Sequence, residues 1–116
     1  MAYRSFEDLE VWQRGCRQAV EIFRIFDDCK NWTLRDQIQR AAISVPSNIA
    51  EGCERNSALD FKRFLSIALG SNAELRTQLY ITHRIGIIEQ LTLDPLIAEA
   101  KQISAMLSGL RRSIKS

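Results

Sequence analysis

The chain has little of what organises a metal-bound or catalytic protein. Histidine occurs once, at His83, and the three cysteines, Cys16, Cys29 and Cys53, are an odd number without metal-type spacing. A metal centre and a disulfide framework are both disfavoured on that count. No apolar run approaches the roughly 20 residues of a membrane-spanning helix, and no stretch has the make-up of a secretory signal. A reducing cytoplasm is therefore the expected location. Gly52 and Gly70 are isolated within helical context, where close helix packing is their expected use, and no glycine-rich phosphate loop can be drawn. Period-two alternation is confined to Leu91-Thr92-Leu93, so no sheet is expected. Neither sign of charge dominates: 16 Lys plus Arg against 14 Asp plus Glu leave a net +2, too small to imply a nucleic-acid partner by itself.

Catalytic constellations are equally scarce. Ser44 and Ser47 lack both a strand-turn-helix nucleophile elbow and a nearby histidine. Glu51, Asp60 and Glu74 include no pair at helical i, i+3 or i, i+4 spacing, so capping and ion pairing account for them better than acid-base chemistry. The expectation is a protein that is not an enzyme and carries no metal or cofactor.

What the 116 residues do contain is helical periodicity, in an amount suited to one domain over 1–116. The first helix is predicted from Ser5 as N-cap to about Phe26. Leu9, Trp12, Cys16, Ala19, Val20, Phe23 and Phe26 share its expected core face. Val11, Ile22 and Ile25 lie off that face, a surplus of apolar surface that calls for a partner. Thr33 caps a second helix that ends near Gly52 to Arg55, with Leu34, Ile38, Ala41, Val45, Ile49 and Gly52 on one stripe. Ser57, with Asp60 three residues on, opens a third whose stripe is Phe61, Leu65, Ala68, Asn72, Leu75 and Leu79. Gly86 closes it in a left-handed cap. Asp94-Pro95 opens the fourth, where Leu96, Ala100, Ile103, Leu107, Leu110 and Ile114 alternate spacings of four and three. Short connections make neighbouring helices antiparallel. The fold class is all-α, an antiparallel up-down four-helix bundle.

One segment breaks the pattern. In Ser44-Val45-Pro46-Ser47-Asn48-Ile49-Ala50-Glu51-Gly52, a proline and an amide stand inside a buried stripe. Pro46 has no N–H for the Ala42 carbonyl, so a proline bend or a restart capped by Ser44 is expected in the second helix. Asn48 is expected to be buried and hydrogen-bonded, and Glu51 to pair with an arginine from a neighbouring helix.

These residues also carry a resemblance. The Asn48-Ile49-Ala50-Glu51-Gly52 core, the opening Phe6-Glu7-Asp8-Leu9-Glu10-Val11-Trp12, Phe61-Lys62-Arg63-Phe64-Leu65, and Ala68-Leu69-Gly70-Ser71-Asn72-Ala73-Glu74-Leu75 are similar to the bacterial four-helix-bundle family of large-subunit rRNA intervening-sequence proteins. They resemble, more distantly, the accessory proteins of diversity-generating retroelements. The likeness runs from about Phe6 through the last helix. Ser44, Pro46, Asn48, Glu51, Gly52, Ser71, Asn72 and Glu74 mark its structural motif; Asn72 departs from the hydrophobic residue usual after Gly-Ser. The resemblance implies homopentameric rings of antiparallel bundles, and association with RNA or with a nucleic-acid enzyme.

The basic residues supply the functional hint. Arg14 and Arg17 gather on one side of the first helix, and after Glu99 the chain has only Lys101, Arg111, Arg112 and Lys115 as charged groups. Five copies at +2 would present about +10, with each cluster repeated around a ring. The sequence thus favours a homo-oligomer assembled through Val11, Ile22 and Ile25. It would bind RNA or DNA electrostatically through Arg14, Arg17, Arg111, Arg112 and Lys115. A protein-interaction scaffold without nucleic acid is the alternative.

Overall fold

The computed structural model describes residues 5–115. A single 3-10 turn (Phe6–Asp8) precedes α1 (Glu10–Phe26), α2 (Trp32–Glu54), α3 (Ala58–Arg84) and α4 (Gln90–Ser113), and no strand occurs among the described residues. Each helix packs on its chain neighbours, and α4 closes back more loosely on α1. The order around the bundle is therefore α1, α2, α3, α4.

The helix ends follow local chemistry, with three revisions of the sequence expectation. Ser5 accepts from the Glu7 N–H but caps only the 3-10 turn, after which Leu9 is extended and α1 begins at Glu10. Asn31, not Thr33, caps α2 through a 3.2 Å bond from the Leu34 N–H. Asp94 is not a cap: α4 starts at Gln90, and Asp94 accepts from the Gln90 side chain at 2.6 Å. Ser57 does cap α3, accepting from Asp60 N–H at 3.1 Å. Its other end is a Schellman turn: Gly86 at φ 87, with Ile87 N–H on Thr82 O at 2.9 Å and Gly86 N–H on His83 O at 3.0 Å.

α2 runs through Pro46 without interruption, so the expected restart does not occur. Ser44 cannot cap a new helix because its hydroxyl and carbonyl are engaged by Asn48 Nδ2, at 2.9 and 2.8 Å. The proline ring instead meets α1, where a Cβ on Gly15 would lie 3.4 Å from Pro46 Cβ. Gly15 and Pro46 form the close approach of α1 to α2.

The expected stripe of α3 is buried, as are that of α2 from Ile38 onward and that of α4 from Leu96 to Leu107, while Leu110 and Ile114 are half-buried and Leu93 and Ile97 join the buried face. α1 is the exception: Leu9, Ala19 and Phe26 are buried as expected, but the other members of the expected core face are not, and residues off it are. Val11 and Ile22 are 4% and 0% exposed, and Ile25 packs against the core. Val11 and Ile22 are core and present no outward interface, while Ile25 is partly buried against it. Trp12 and Cys16 are half-buried, while Val20 and Phe23 are 49% and 38% exposed. The inward stripe also carries Gly15 and Gln18, which read as gaps in a hydrophobic pattern.

The core falls into two clusters. One gathers Ile22, Phe26, Ile38, Leu75, Leu79 and Ile97, and the other Val11, Val45, Ile49, Phe61, Leu65, Ile103 and Leu107. Between them lies a belt of polar side chains.

Candidate functional site

The belt is built from the motif residues. Asn72, fully buried, donates through Nδ2 to the Ala100 carbonyl at 2.7 Å and to Ser104 Oγ at 2.8 Å, both on α4. A backbone carbonyl only accepts, so the amide orientation is fixed and Asn72 Oδ1 must face α1. There it accepts from Gln18 Nε2 at 3.2 Å. On the other side of α3, Ser71 and Ser44 share a 2.8 Å hydrogen bond between hydroxyls. Because Asn48 already donates to Ser44 Oγ, the Ser44 proton is available to Ser71. One polar layer thus ties all four helices at mid-height. A register slip would strand several buried groups, each at about 1–3 kcal/mol. Asn48 is half-buried rather than fully buried, and it is hydrogen-bonded as expected.

The rest of the motif serves the α2–α3 junction. A Cβ on Gly52 would lie 2.6 Å from Phe64 Cβ, so the glycine permits the helices to meet. Glu51 pairs with Arg55 one turn on, at 3.1 Å, not with a neighbouring helix. The Arg55 and Arg63 guanidinium groups each stand 5.1 Å from the Phe64 ring centre. Gly70, by contrast, faces open space and makes no close packing. Glu74 is exposed.

The basic residues named from the sequence separate into two places. Arg14 donates to Glu99 through Nε at 2.9 Å and Nη2 at 2.5 Å, with Glu10 at 4.0 Å. This fork holds the Glu99 carboxyl below the usual carboxylate range, chiefly through the hydrogen bond, with Arg17 adding attraction. The same bond raises the Arg14 guanidinium further above its already high value. Arg14 and Arg17 line a cleft between α1 and α4 that they share with Glu10, Glu21 and Glu99. Arg14 therefore has no free fork for phosphate, and neither arginine belongs to a one-sign surface.

Arg111 lies elsewhere, donating across to Ser66 of α3 at 2.9 Å. That contact and the Asn72–Ser104 bond define the face of α4 turned to α3, and Lys101 and Ser108 fall on the same face by spacing, while Lys115 follows the extended Ile114 beyond the helix end. Lys62 and Arg76 flank Ser66 on the facing side of α3, and Arg112 adjoins Arg111. Among the described residues none of these six cations forms an ion pair, and Arg76 Nε is buried without a hydrogen-bond partner. Asp94, the acid nearest this face on α4, is engaged by Gln90. From Lys62 to Arg76 the stripe runs about 21 Å at 1.5 Å per residue. Lys62 and Arg76 were missed, and Lys101 was noted without being made a candidate, because the group is scattered over two helices. Their shared helical faces, on which Asp94 is the one nearby acid, are the signal that could have found them.

Burial raises the Cys16 and Cys53 thiols, keeping both neutral. No group of three potential metal ligands occurs among the described residues, and no helix there is long and apolar enough to cross a membrane.

Comparison with known proteins gives this geometry a family. The model of the 23S rRNA-intervening sequence protein family matches residues 7–109. The chain belongs to that family. A crystallised protein of unknown function from the S23 ribosomal protein family of Bacteroides thetaiotaomicron shares the fold. Its TM-score is 0.83 at 23% identity, over 89% of this chain and 99% of the other. No curated protein matches the chain. The match to the 23S rRNA-intervening sequence family spans the polar belt and the Gly52 junction, and of the seam cations it includes Lys62, Arg76 and Lys101 but stops short of Arg111, Arg112 and Lys115. Neither the family description nor the structural neighbour names a catalytic activity.

Proposed function

We propose that the protein is a non-enzymatic, homo-oligomeric scaffold of the cytoplasm that associates with RNA or DNA, or with a nucleic-acid-processing protein, through the α3–α4 seam. The observation carrying this reading is the group of cations at Lys62, Arg76, Lys101, Arg111 and Arg112, with Lys115 just beyond the helix end, none with an ion-pair partner among the described residues. Charge without a stacking platform suits phosphate contact that positions a strand without reading its bases. Three unpaired thiols support a reducing location.

Self-association, of five subunits as the family resemblance implies, would use the outer face of α1. Trp12, Cys16, Val20 and Phe23 form it, and Ile43 of α2, 47% exposed, stands at a similar level by the Gly15–Pro46 register. That face lies across the bundle from the seam, so assembly through it would leave the cations exposed and repeated. The apolar face also supports a second reading, a scaffold that binds only protein.

Fluorescence anisotropy with unrelated RNA and DNA oligonucleotides at several salt concentrations tests the first reading. Affinity should fall steeply with salt, and Arg111→Ala with Arg112→Ala should weaken every sequence alike and flatten the slope by about two charges. No binding by the intact assembly at low salt would give the protein-only scaffold first place.

A further inference from the structure

The cleft between α1 and α4 is not used by the seam. It encloses ≈ 730 Å³, within the range of small-molecule sites. Three carboxylates, Glu10, Glu21 and Glu99, and two guanidinium groups, Arg14 and Arg17, face it. Arg14 and Glu99 neutralise one another in their fork, so the cleft retains one negative charge in excess. Glu21 has no ion pair among the described residues.

The second observation is Gln18, which also lines the cleft and is only 4% exposed. Its amide orientation is dictated by Asn72, which needs the Nε2 donor, and Gln18 Oε1 is buried with no partner. An acceptor lacking a donor therefore sits one turn from an unpaired carboxylate. Toward its far end the cleft becomes apolar at Ile25, Leu91 and Leu96.

We propose that this cleft binds a small organic amine, one ammonium group on an aryl or alkyl tail, with the ammonium between Gln18 Oε1 and the Glu21 carboxylate and the tail along Ile25, Leu91 and Leu96. A slight shift of the Gln18 amide brings Oε1 to the ligand. An anion of the same shape meets the carboxylates and is rejected. A neutral alcohol satisfies Gln18 and leaves the excess charge unbalanced.

Titration calorimetry and thermal melting of the intact protein with phenethylamine, phenylacetate and phenethyl alcohol test this. Phenethylamine should bind saturably and raise the melting temperature, with the acid and the alcohol weaker by about tenfold or more. Glu21→Gln and Leu91→Ala alter exposed positions and should weaken amine binding without moving the melting temperature of the free protein. Glu74→Gln, outside the cleft, should change nothing. No saturable amine binding at millimolar concentration, equal binding of phenylacetate, or equal effects of Glu21→Gln and Glu74→Gln would each overturn the assignment.

Discussion

The same substitution at two glycines should move stability in opposite directions. At Gly52 an added Cβ would stand 2.6 Å from Phe64 Cβ, 3.1 Å from Phe61 Cδ1 and 3.4 Å from the Phe61 carbonyl. Ordinary contact begins at 3.4 Å, so α2 and α3 must part by nearly an ångström. The atom in the way is a Cβ, which follows its backbone and cannot swing aside. Separation loosens Val45, Ile49, Phe61 and Leu65 in the cluster beneath. Overpacking of this kind costs about 1–3 kcal/mol or more. The offsetting gain of Ala over Gly is at most about 1 kcal/mol, and less near a helix end. Gly52→Ala should therefore destabilise by about 1–3 kcal/mol, lowering the melting temperature by roughly 4–15 °C. Gly70 sits mid-helix with nothing within 4 Å, so Gly70→Ala should stabilise by up to about 1 kcal/mol. Urea and thermal denaturation of both variants at matched protein concentration decide it. A Gly52→Ala protein as stable as the parent, or a loss at Gly70 equal to that at Gly52, would refute the close-approach argument.

Other perturbations probe the belt, the fork and the outer face. Asn72→Leu should cost about 1–3 kcal/mol by leaving Gln18 Nε2 and Ser104 unmet; adding Gln18→Leu should recover part of that loss in denaturation, and a double variant worse than the sum would contradict it. The lowered Glu99 value means that the fork's stability is fully present above the ordinary glutamate range and is lost as pH falls through the lowered folded value. Glu99→Gln should accordingly melt below the parent at neutral pH, with the gap closing in acid; a gap that stays constant with pH excludes the linkage. Val20→Glu with Phe23→Glu should reduce the assembly mass by light scattering while helical circular dichroism persists. Retention of a full-size oligomer would remove the outer face of α1 from consideration.

How much of this was legible depended on whether a helix has one apolar side. α3 does, and its stripe was readable residue by residue from spacing alone, as were the α2 stripe from Ile38 onward and the α4 stripe from Leu96 to Leu107. α1 has two. Its core stripe passes through Gly15 and Gln18, chosen for contact with Pro46 and Asn72, while its outer stripe of Trp12, Cys16, Val20 and Phe23 is more uniformly apolar. A count of hydrophobic residues therefore selects the outer face as core. Nothing local distinguishes the two, because the partners of Gly15 and Gln18 are 31 and 54 positions away along the chain. At Pro46 the restart was not to be excluded from the sequence, which shows the missing N–H but not the glycine that receives the ring.

The site was legible in sign and not in pairing. That Asn48 and Asn72 were anomalous could be read from their stripes. That they belong to one belt, through Ser44 and Ser71, required the α2–α3 register. Arg14 looked available because Glu99 is 85 residues distant, yet the fork between them is the clearest ion pair in the molecule. Among the described residues, cations without an ion pair include Arg17, Arg24, Lys30, Arg40 and Arg84 as well as those of the α3–α4 seam, so the seam is marked by its clustering and not by a lack of pairing alone. Arg14 is thus neutralised inside the α1–α4 cleft, whereas Arg111 and Arg112 at the end of α4 carry no ion pair among the described residues. Of these three, only the latter two can release counterions on meeting a phosphate backbone, so a salt slope should report Arg111 and Arg112 and be indifferent to Arg14.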